Sequence, residues 1–283
     1  MVVFAGRGDT RRSLSLLWRA TTSGTPRPGP KQALTVDAIV DAAIEVADAQ
    51  GMAALSMRAV GRRLGRTGMA LYTYVPGKGE LVDLMYDRAH ATLPESYPPT
   101  GGWRAAAVAW ADDLWACYQA HPWVLQVSQV RPVLGPCEYA VVEAVTRILY
   151  ETGLPARLLT RVVGTLFHFV RGAASTVAEA GQAVTDTGQT NEEFWAARSA
   201  MLPEVVPDFA ERFPAIVRMG AEDTFEWDES RPYLEQQARE TFEAGLSIIL
   251  DGVESAVTRQ ESGGAAGREA AAPPARRRGR RAR

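Results

Sequence analysis

Residues 55–85 read LSMRAVGRRLGRTGMALYTYVPGKGELVDLM, and the fold is decided here. Ser56 is placed to cap a short helix whose apolar side is Ala59, Val60 and Leu64 at helical spacing. Gly65 follows Leu64 directly, where a left-handed residue ends a helix. A second helical pattern from Arg66 to Val75 is too short to stand alone and leans on its neighbours through Met69, Leu71 and Val75. Pro76-Gly77 stops it, and Gly79-Glu80 restarts the chain into Leu81, Leu84 and Met85. Two short helices around a tight turn are the ingredients of a helix-turn-helix, whose second helix can enter a DNA major groove.

Charge agrees with that reading. Between Met52 and Gly79 the basic residues are Arg58, Arg62, Arg63, Arg66 and Lys78, and no acidic residue occurs. An element that approaches phosphates must be free of like charge, although a small helical cluster can also carry solvated arginines without touching DNA. Upstream, Thr35 is positioned to cap a support helix from Val36 to about Gln50, ended by Gly51. Val36, Ile39, Val40, Ala43, Ile44 and Ala47 share one face of it. Lys31, just before it, is placed to meet a phosphate.

Leu55-Ser56-Met57-Arg58, Leu64-Gly65, Leu71-Tyr72 and Val75-Pro76-Gly77-Lys78 together resemble the DNA-binding domain of the tetracycline-repressor (TetR) family, over roughly Leu34 to Ala91. The resemblance implies that Ser56, Tyr72 and Lys78 bond phosphates, with Thr67 a further candidate. It places Arg58 at a base edge and Gly68, Met69, Ala70, Thr73 and Tyr74 toward the bases, with Leu71 and Val75 in the core. Gly68-Met69-Ala70 departs from the more polar triplet common in that family. Apolar contact of Met69 or Ala70 with thymine methyl groups is then expected to carry part of the specificity, unless Met69 is core. Further on, Gly153-Leu154, His168-Phe169, Gly172 and Leu246–Glu254 are similar to the tetracycline repressor's ligand domain. That similarity implies a homodimer closed by a four-helix bundle, with an effector pocket in each subunit.

The formal charge of the 283 residues is -2, but it is unevenly spread. Residues 1–30 hold five arginines and one acid, and residues 259–283 hold eight arginines and two acids. Residues 79–258 carry 12 basic against 26 acidic residues, so a basic head sits on an acidic body. Hydrophobic content of 46% is ordinary globular usage, and no apolar run approaches a membrane span. Residues 1–30 show no sustained period and read as a disordered, Arg-bearing arm. Residues 259–283, made largely of Gly, Ala, Pro and Arg, read as a disordered tail. Cys117 and Cys137, the two cysteines, read as small apolar residues in a reducing, cytoplasmic setting rather than as redox sensors.

The pattern between stays helical: Leu81–Leu93, Trp103–Ala120, Glu138–Glu151, Arg157–Ala180, Glu193–Met201, and Pro232 to about Val257, with a polar loop at 181–192. The expected architecture is therefore all-α. A helix-turn-helix domain over 31–80 is followed by a helical effector-binding and dimerisation domain over 81–258. No phosphate-binding loop, nucleophile elbow or paired histidines occur, so no catalytic residue, cofactor or metal is expected. The best functional reading is a repressor that binds a palindromic operator and is released by a small molecule. An activator of the same fold, or a helical interaction protein without DNA contact, are the alternatives. Trp110, Phe167, His168, Arg171 and Trp195 are the candidate effector residues. His168 and Arg171 interrupt an apolar helix, either as polar groups of the pocket or as structural groups, Arg171 then paired with an acid such as Glu143.

Overall fold

The computed structural model describes residues 3–6, 8–19, 34–222, 228, 230 and 232–270, with side chains of the last helix as far as Ser262. Among these, the elements are helical, and the one β feature is an isolated parallel bridge between Val3 and Val127. The order is α1 (Thr10–Leu17), α2 (Val36–Ala54), α3 (Met57–Arg63), α4 (Gly68–Leu71), α5 (Lys78–Ala89), α6 (Gly102–Ala120), α7 (Pro136–Tyr150) and α8 (Ala156–Thr187). It continues with α9 (Asn191–Val205), α10 (Phe209–Arg212), α11 (Pro214–Glu222) and α12 (Tyr233–Ala270). Short 3-10 turns cover His90–Thr92 and Pro122–Gln126.

Caps set the first domain. Thr35 Oγ1 accepts the Ala38 amide at 3.1 Å and starts α2. Gly51 has left-handed φ of 73° with extended ψ, so it interrupts the helix where the sequence suggested an end. Helical turns nevertheless resume as far as Ala54. Ser56 Oγ accepts the Ala59 amide at 3.1 Å and starts α3, and Gly65 takes φ of 64° in the turn. The turn is tight because two glycines let the backbones close. A Cβ on Gly61 would stand 2.8 Å from the Arg66 carbonyl oxygen, and one on Gly68 would stand 3.2 Å from Arg58 Cα. Ile39, Ala43, Val60, Leu71, Val75, Leu81 and Met85 are buried to zero exposure and form the shared core.

The helix α5 leads out of this domain into the next. It begins at Lys78, earlier than its apolar pattern shows, and ends in the 3-10 turn at His90 instead of running on to Leu93. Nine of its residues are buried, because α1, α2 and α7 all pack on it. In the larger domain α8 packs between α6 and α12. Its aromatic contacts are Trp110 edge-on to Phe167 at 5.0 Å and Phe169 stacked on Phe242 at 5.7 Å.

Three sequence expectations are corrected. The polar loop expected at 181–192 is mostly helix: α8 runs to Thr187, and Gly188 at φ of 68° ends it. Thr190 and Glu193 then form a reciprocal capping box that starts α9, so the break is three residues long. Residues 1–30 are expected to form a disordered, Arg-bearing arm, but residues 3–6 and 8–19 are described and packed. Ala5 and Leu17 are 1% and 4% exposed. Asp9 caps α1 by accepting the Arg12 amide at 2.8 Å. A composition without period hid this segment, because its few apolar residues are spent on another domain's surface. Finally, the tail expected from residue 259 is helical to Ala270 as an extension of α12. Lys31 and residues 271–283 lie outside the described residues. Among the described residues no helix is long and apolar enough to cross a membrane.

Candidate DNA interface and effector region

One face of the first domain gathers most of the residues the sequence marks for DNA. Arg58, Arg62, Arg66, Thr67, Met69 and Tyr72 line a shallow depression across α3 and α4. Arg58, Arg62 and Arg66 are exposed and make no ion pair with another described residue, so their charge is open to a polyanion. Arg63 is held instead by Glu45 at 2.6 Å. Met69 is 77% exposed, which rules out the core reading and presents its thioether outward. Leu71 and Val75 are fully buried beneath it. Thr67 stands at the start of α4 with no side-chain cap bond, leaving its hydroxyl available, and Thr73 is exposed.

Some site residues have a second occupation. Ser56 spends its oxygen on the Ala59 amide and keeps its hydroxyl proton for an acceptor. Lys78 Nζ donates to the Leu55 carbonyl at 2.7 Å, which ties α5 to the entrance of α3, and two donors remain for a phosphate. Gly68 does not face outward: its Cβ direction points into the Arg58 backbone, so its role is the close helix contact. Tyr74 is half-buried against the core and Ala70 is half-buried, whereas Tyr72 is 43% exposed.

The effector candidates separate into two groups. Trp110 is 1% exposed, donates Nε1 to the Val141 carbonyl at 3.2 Å, and meets Phe167 edge-on. Arg171 follows Phe167 by one turn. Its Nη2 donates to the carbonyls of Leu125 and Val127, the latter at 2.8 Å, while Nη1 is buried with no acceptor. The expected Glu143 partner pairs with Arg147 at 2.6 Å instead. His168 and Trp195 do not join this group. His168 is exposed on another side of α8, and Trp195 is 54% exposed on α9, a helix with no buried residue. Helical spacing from Phe167 places His168 about 100° round the axis, which is why neighbours in sequence are not neighbours here.

Sequence reasoning missed the polar groups around Arg171. Tyr86 on α5 and His90, which caps the end of that helix four residues on, are 3% and 4% exposed with rings 4.8 Å apart. Tyr118 on α6 is fully buried and receives a long hydrogen bond from Gln129 Nε2 at 3.5 Å. Burial pushes the Tyr86 phenol up to about 12 and the His90 imidazole down to about 4, with Arg171 acting on both. The four-residue spacing of Tyr86 and His90 was the available signal. Burial likewise raises the thiols of Cys117 and Cys137 to about 11 and about 12, so neither is activated.

A basic helix-turn-helix face joined by a buried helix to an all-helical second domain defines a DNA-binding regulator. Residues 39–85 match the family of bacterial regulatory proteins named tetR, and residues 94–257 match the tetracyclin repressor-like C-terminal domain. The chain is 41% identical over 259 residues to the HTH-type transcriptional repressor DrrR1 of Streptomyces coeruleorubidus, covering 90% of each chain. It is 30% identical over 184 residues to an HTH-type transcriptional regulator of Saccharopolyspora erythraea, covering 63% of this chain and 76% of that one. The crystal structure of ActR of Streptomyces coelicolor in complex with actinorhodin is similar, with a TM-score of 0.62 and 26% identity, covering 79% of this chain and 96% of that one. The chain belongs to the TetR family and is a ligand-responsive transcriptional repressor.

Proposed function

We propose that the protein binds a palindromic operator as a homodimer and is released when a largely hydrophobic small molecule enters the second domain. The observation that carries DNA recognition is the open face of Arg58, Arg62, Arg66, Met69 and Tyr72 over a fully buried Leu71 and Val75. Arg58 suits guanine O6 and N7 through its bidentate fork, Ser56, Thr67, Tyr72 and Lys78 suit phosphates, Thr73 suits a base edge, and Met69 suits a thymine methyl. The homodimer rests on the α8 and α12 faces. Leu154, Leu158 and Val162 border an apolar groove with Ile249, Val253 and Ala256, and Ile248 is 70% exposed. Two such helix pairs meeting face to face bury a stripe that one chain leaves open.

The effector site is centred on Arg171, Phe167 and Trp110, with Tyr86, His90 and Tyr118 beside them. Aromatic walls and a buried guanidinium nitrogen without an acceptor suit an aromatic ligand bearing a carbonyl or anionic oxygen. That ActR is solved in complex with actinorhodin supports binding of an effector in this domain. Because Tyr86 lies on α5 and His90 caps its end, a ligand at Arg171 acts directly on the helix that carries the DNA-binding domain. A conformer with recognition helices no longer about 34–36 Å apart loses the operator by the ligand's differential affinity for the two states.

The reading is tested by selecting a bound duplex from a randomised pool and titrating it against the protein. A selected palindrome bound by a species twice 30.7 kDa supports the proposal. Binding that is equal for selected and random duplexes, or by a monomer, removes it.

A further inference from the structure

Residues 3–6 and 8–19 precede both family matches, which begin at 39 and 94. Yet they are fastened at both ends of the junction between the two domains. On the ligand-domain side, Val3 N donates to the Gln126 carbonyl and Val3 O accepts the Ser128 amide, both at 2.8 Å. Trp18 Nε1 donates to the Leu134 carbonyl at 2.9 Å. On the other side the anchor is Asp83 of α5, a carboxylate with 1% exposure. Its Oδ1 accepts the Gly6 amide at 3.0 Å and its Oδ2 accepts the Ser13 hydroxyl at 2.8 Å. Gly8 lies against Glu80 so closely that a Cβ there would be 1.9 Å from the carboxylate.

A carboxylate is costly to bury, and burial raises the Asp83 pKa while its two hydrogen bonds oppose that rise. Simple packing on α5 would be served better by an apolar residue. A buried carboxylate that both arms of a passing segment must satisfy fixes the register of that segment instead. Lifting the segment hydrates Asp83 at once, so the contact has a ready alternative state.

We propose that residues 3–6 and 8–17 are a strap that fixes α5 against the ligand-binding domain, anchored on Asp83, and that this fixed pose is required for specific DNA binding. The DNA part rests on the function proposed above. With the strap lifted, α5 samples poses of which only a fraction match two half-sites, and apparent affinity falls by that fraction.

Ser13→Asp tests it in the full-length protein, because a second carboxylate facing Asp83 repels the strap without altering α5. The readouts are hydrogen exchange and affinity for a duplex selected by the wild-type protein. The expected result is faster exchange at the Ser128 amide and along α5. Affinity for the selected duplex should fall about five- to tenfold, with random duplex bound within about twofold of wild type. Faster exchange with unchanged or improved specific affinity overturns the proposal, leaving the strap a passive cover. Unchanged exchange also overturns it, because Asp83 is then not the anchor. If Ser13→Asp fails to fold, Ser13→Ala must shift both readouts in the same direction, and no shift overturns the strap. Should the wild-type protein select no duplex, the operator reading fails, while exchange along α5 still decides whether the strap holds the helix.

Discussion

The proposed recognition face and the proposed effector region use the same residue types in opposite ways. Around α4 the core is wholly apolar and the polar groups stand outside it, with Arg58, Arg62 and Arg66 in solvent. Around α8 the polar groups are inside. Arg171, Tyr86, His90 and Tyr118 are set among Trp110, Phe167 and other apolar side chains. The first arrangement separates stability from recognition, since each side chain does one of the two. The second joins them, because a group proposed to meet a ligand also has to be satisfied by the fold. Arg171 shows the compromise: one nitrogen is spent on the 125–127 turn and the other is left over.

That contrast is broken most strongly at Trp110. Truncation to alanine removes a fully buried ring and its bond to Val141, and should cost about 3–5 kcal/mol of unfolding free energy. Denaturant titration of Trp110→Ala would measure it. A loss below about 1 kcal/mol would mean the region is already open enough to relax around the gap, and that stability and ligand binding are separate there too.

The two regions also differed in how far they could be read from the sequence. The helix-turn-helix is written in local signals: Thr35 and Ser56 cap, Gly65 turns left-handed, and Pro76-Gly77 stops the chain. Each acts within about four residues, so spacing alone locates it. The face of α4 followed, except at Gly68, whose tight contact with Arg58 is a property of two helices and not of one. The effector region is assembled from α5, α6, α8 and the 122–129 turn, and no local rule says which side of α8 faces them. Phe167 and Arg171 lie there because they share a face, whereas His168 lies one residue away and outside. The N-terminal segment was illegible for a related reason. Its partners Asp83 and Gln126 are remote in sequence, and a short amphipathic turn carries no sign of its destination.

His90 gives the next effect in size. Burial keeps its imidazole neutral down to about 4, against an ordinary value of 6.5. Between those values the unfolded chain binds a proton that the folded chain refuses. The contribution is therefore intact above pH 6.5 and is lost as pH falls toward 4, amounting to roughly 3 kcal/mol. Burial raises Asp83, Asp87 and Glu138, which act in the opposite direction, but they are common to wild type and variant. The difference in unfolding free energy between wild type and His90→Gln should thus change by about that amount from pH 7.5 to pH 4. Parallel stability curves would show that His90 gains a proton in the fold and belongs with the outward-facing groups.

On the recognition face the expected effects move from stability to affinity. Arg58→Ala should leave the melting curve within about 0.5 kcal/mol of wild type and weaken the selected duplex by about 1–3 kcal/mol, with discrimination relaxed at one position. Lys78→Ala should weaken selected and random duplexes alike and flatten the salt dependence. If Arg58→Ala weakens random duplex as much as selected duplex, Arg58 is a phosphate ligand and the division of roles on this face is wrong.

Met69 gives the smallest effect and the sharpest test of the contrast, because it is an apolar side chain placed outside where the effector region places polar ones inside. At 77% exposure it contributes little to the fold, so Met69→Ala should not destabilise the domain measurably. Its loss should instead appear on DNA, at about 1 kcal/mol for the apolar surface no longer covered against a thymine methyl. The decisive comparison uses uracil in place of thymine, one position at a time, in the selected duplex. Uracil keeps every hydrogen-bonding group and removes only the methyl. At one position the wild-type protein should lose about 1 kcal/mol on this change and Met69→Ala should lose nothing further, which is non-additivity between groups in contact. Equal losses for both proteins at every position would show that Met69 touches no methyl. The specificity of this face would then rest on its arginines, and its apolar residues would be as silent in recognition as they are in stability.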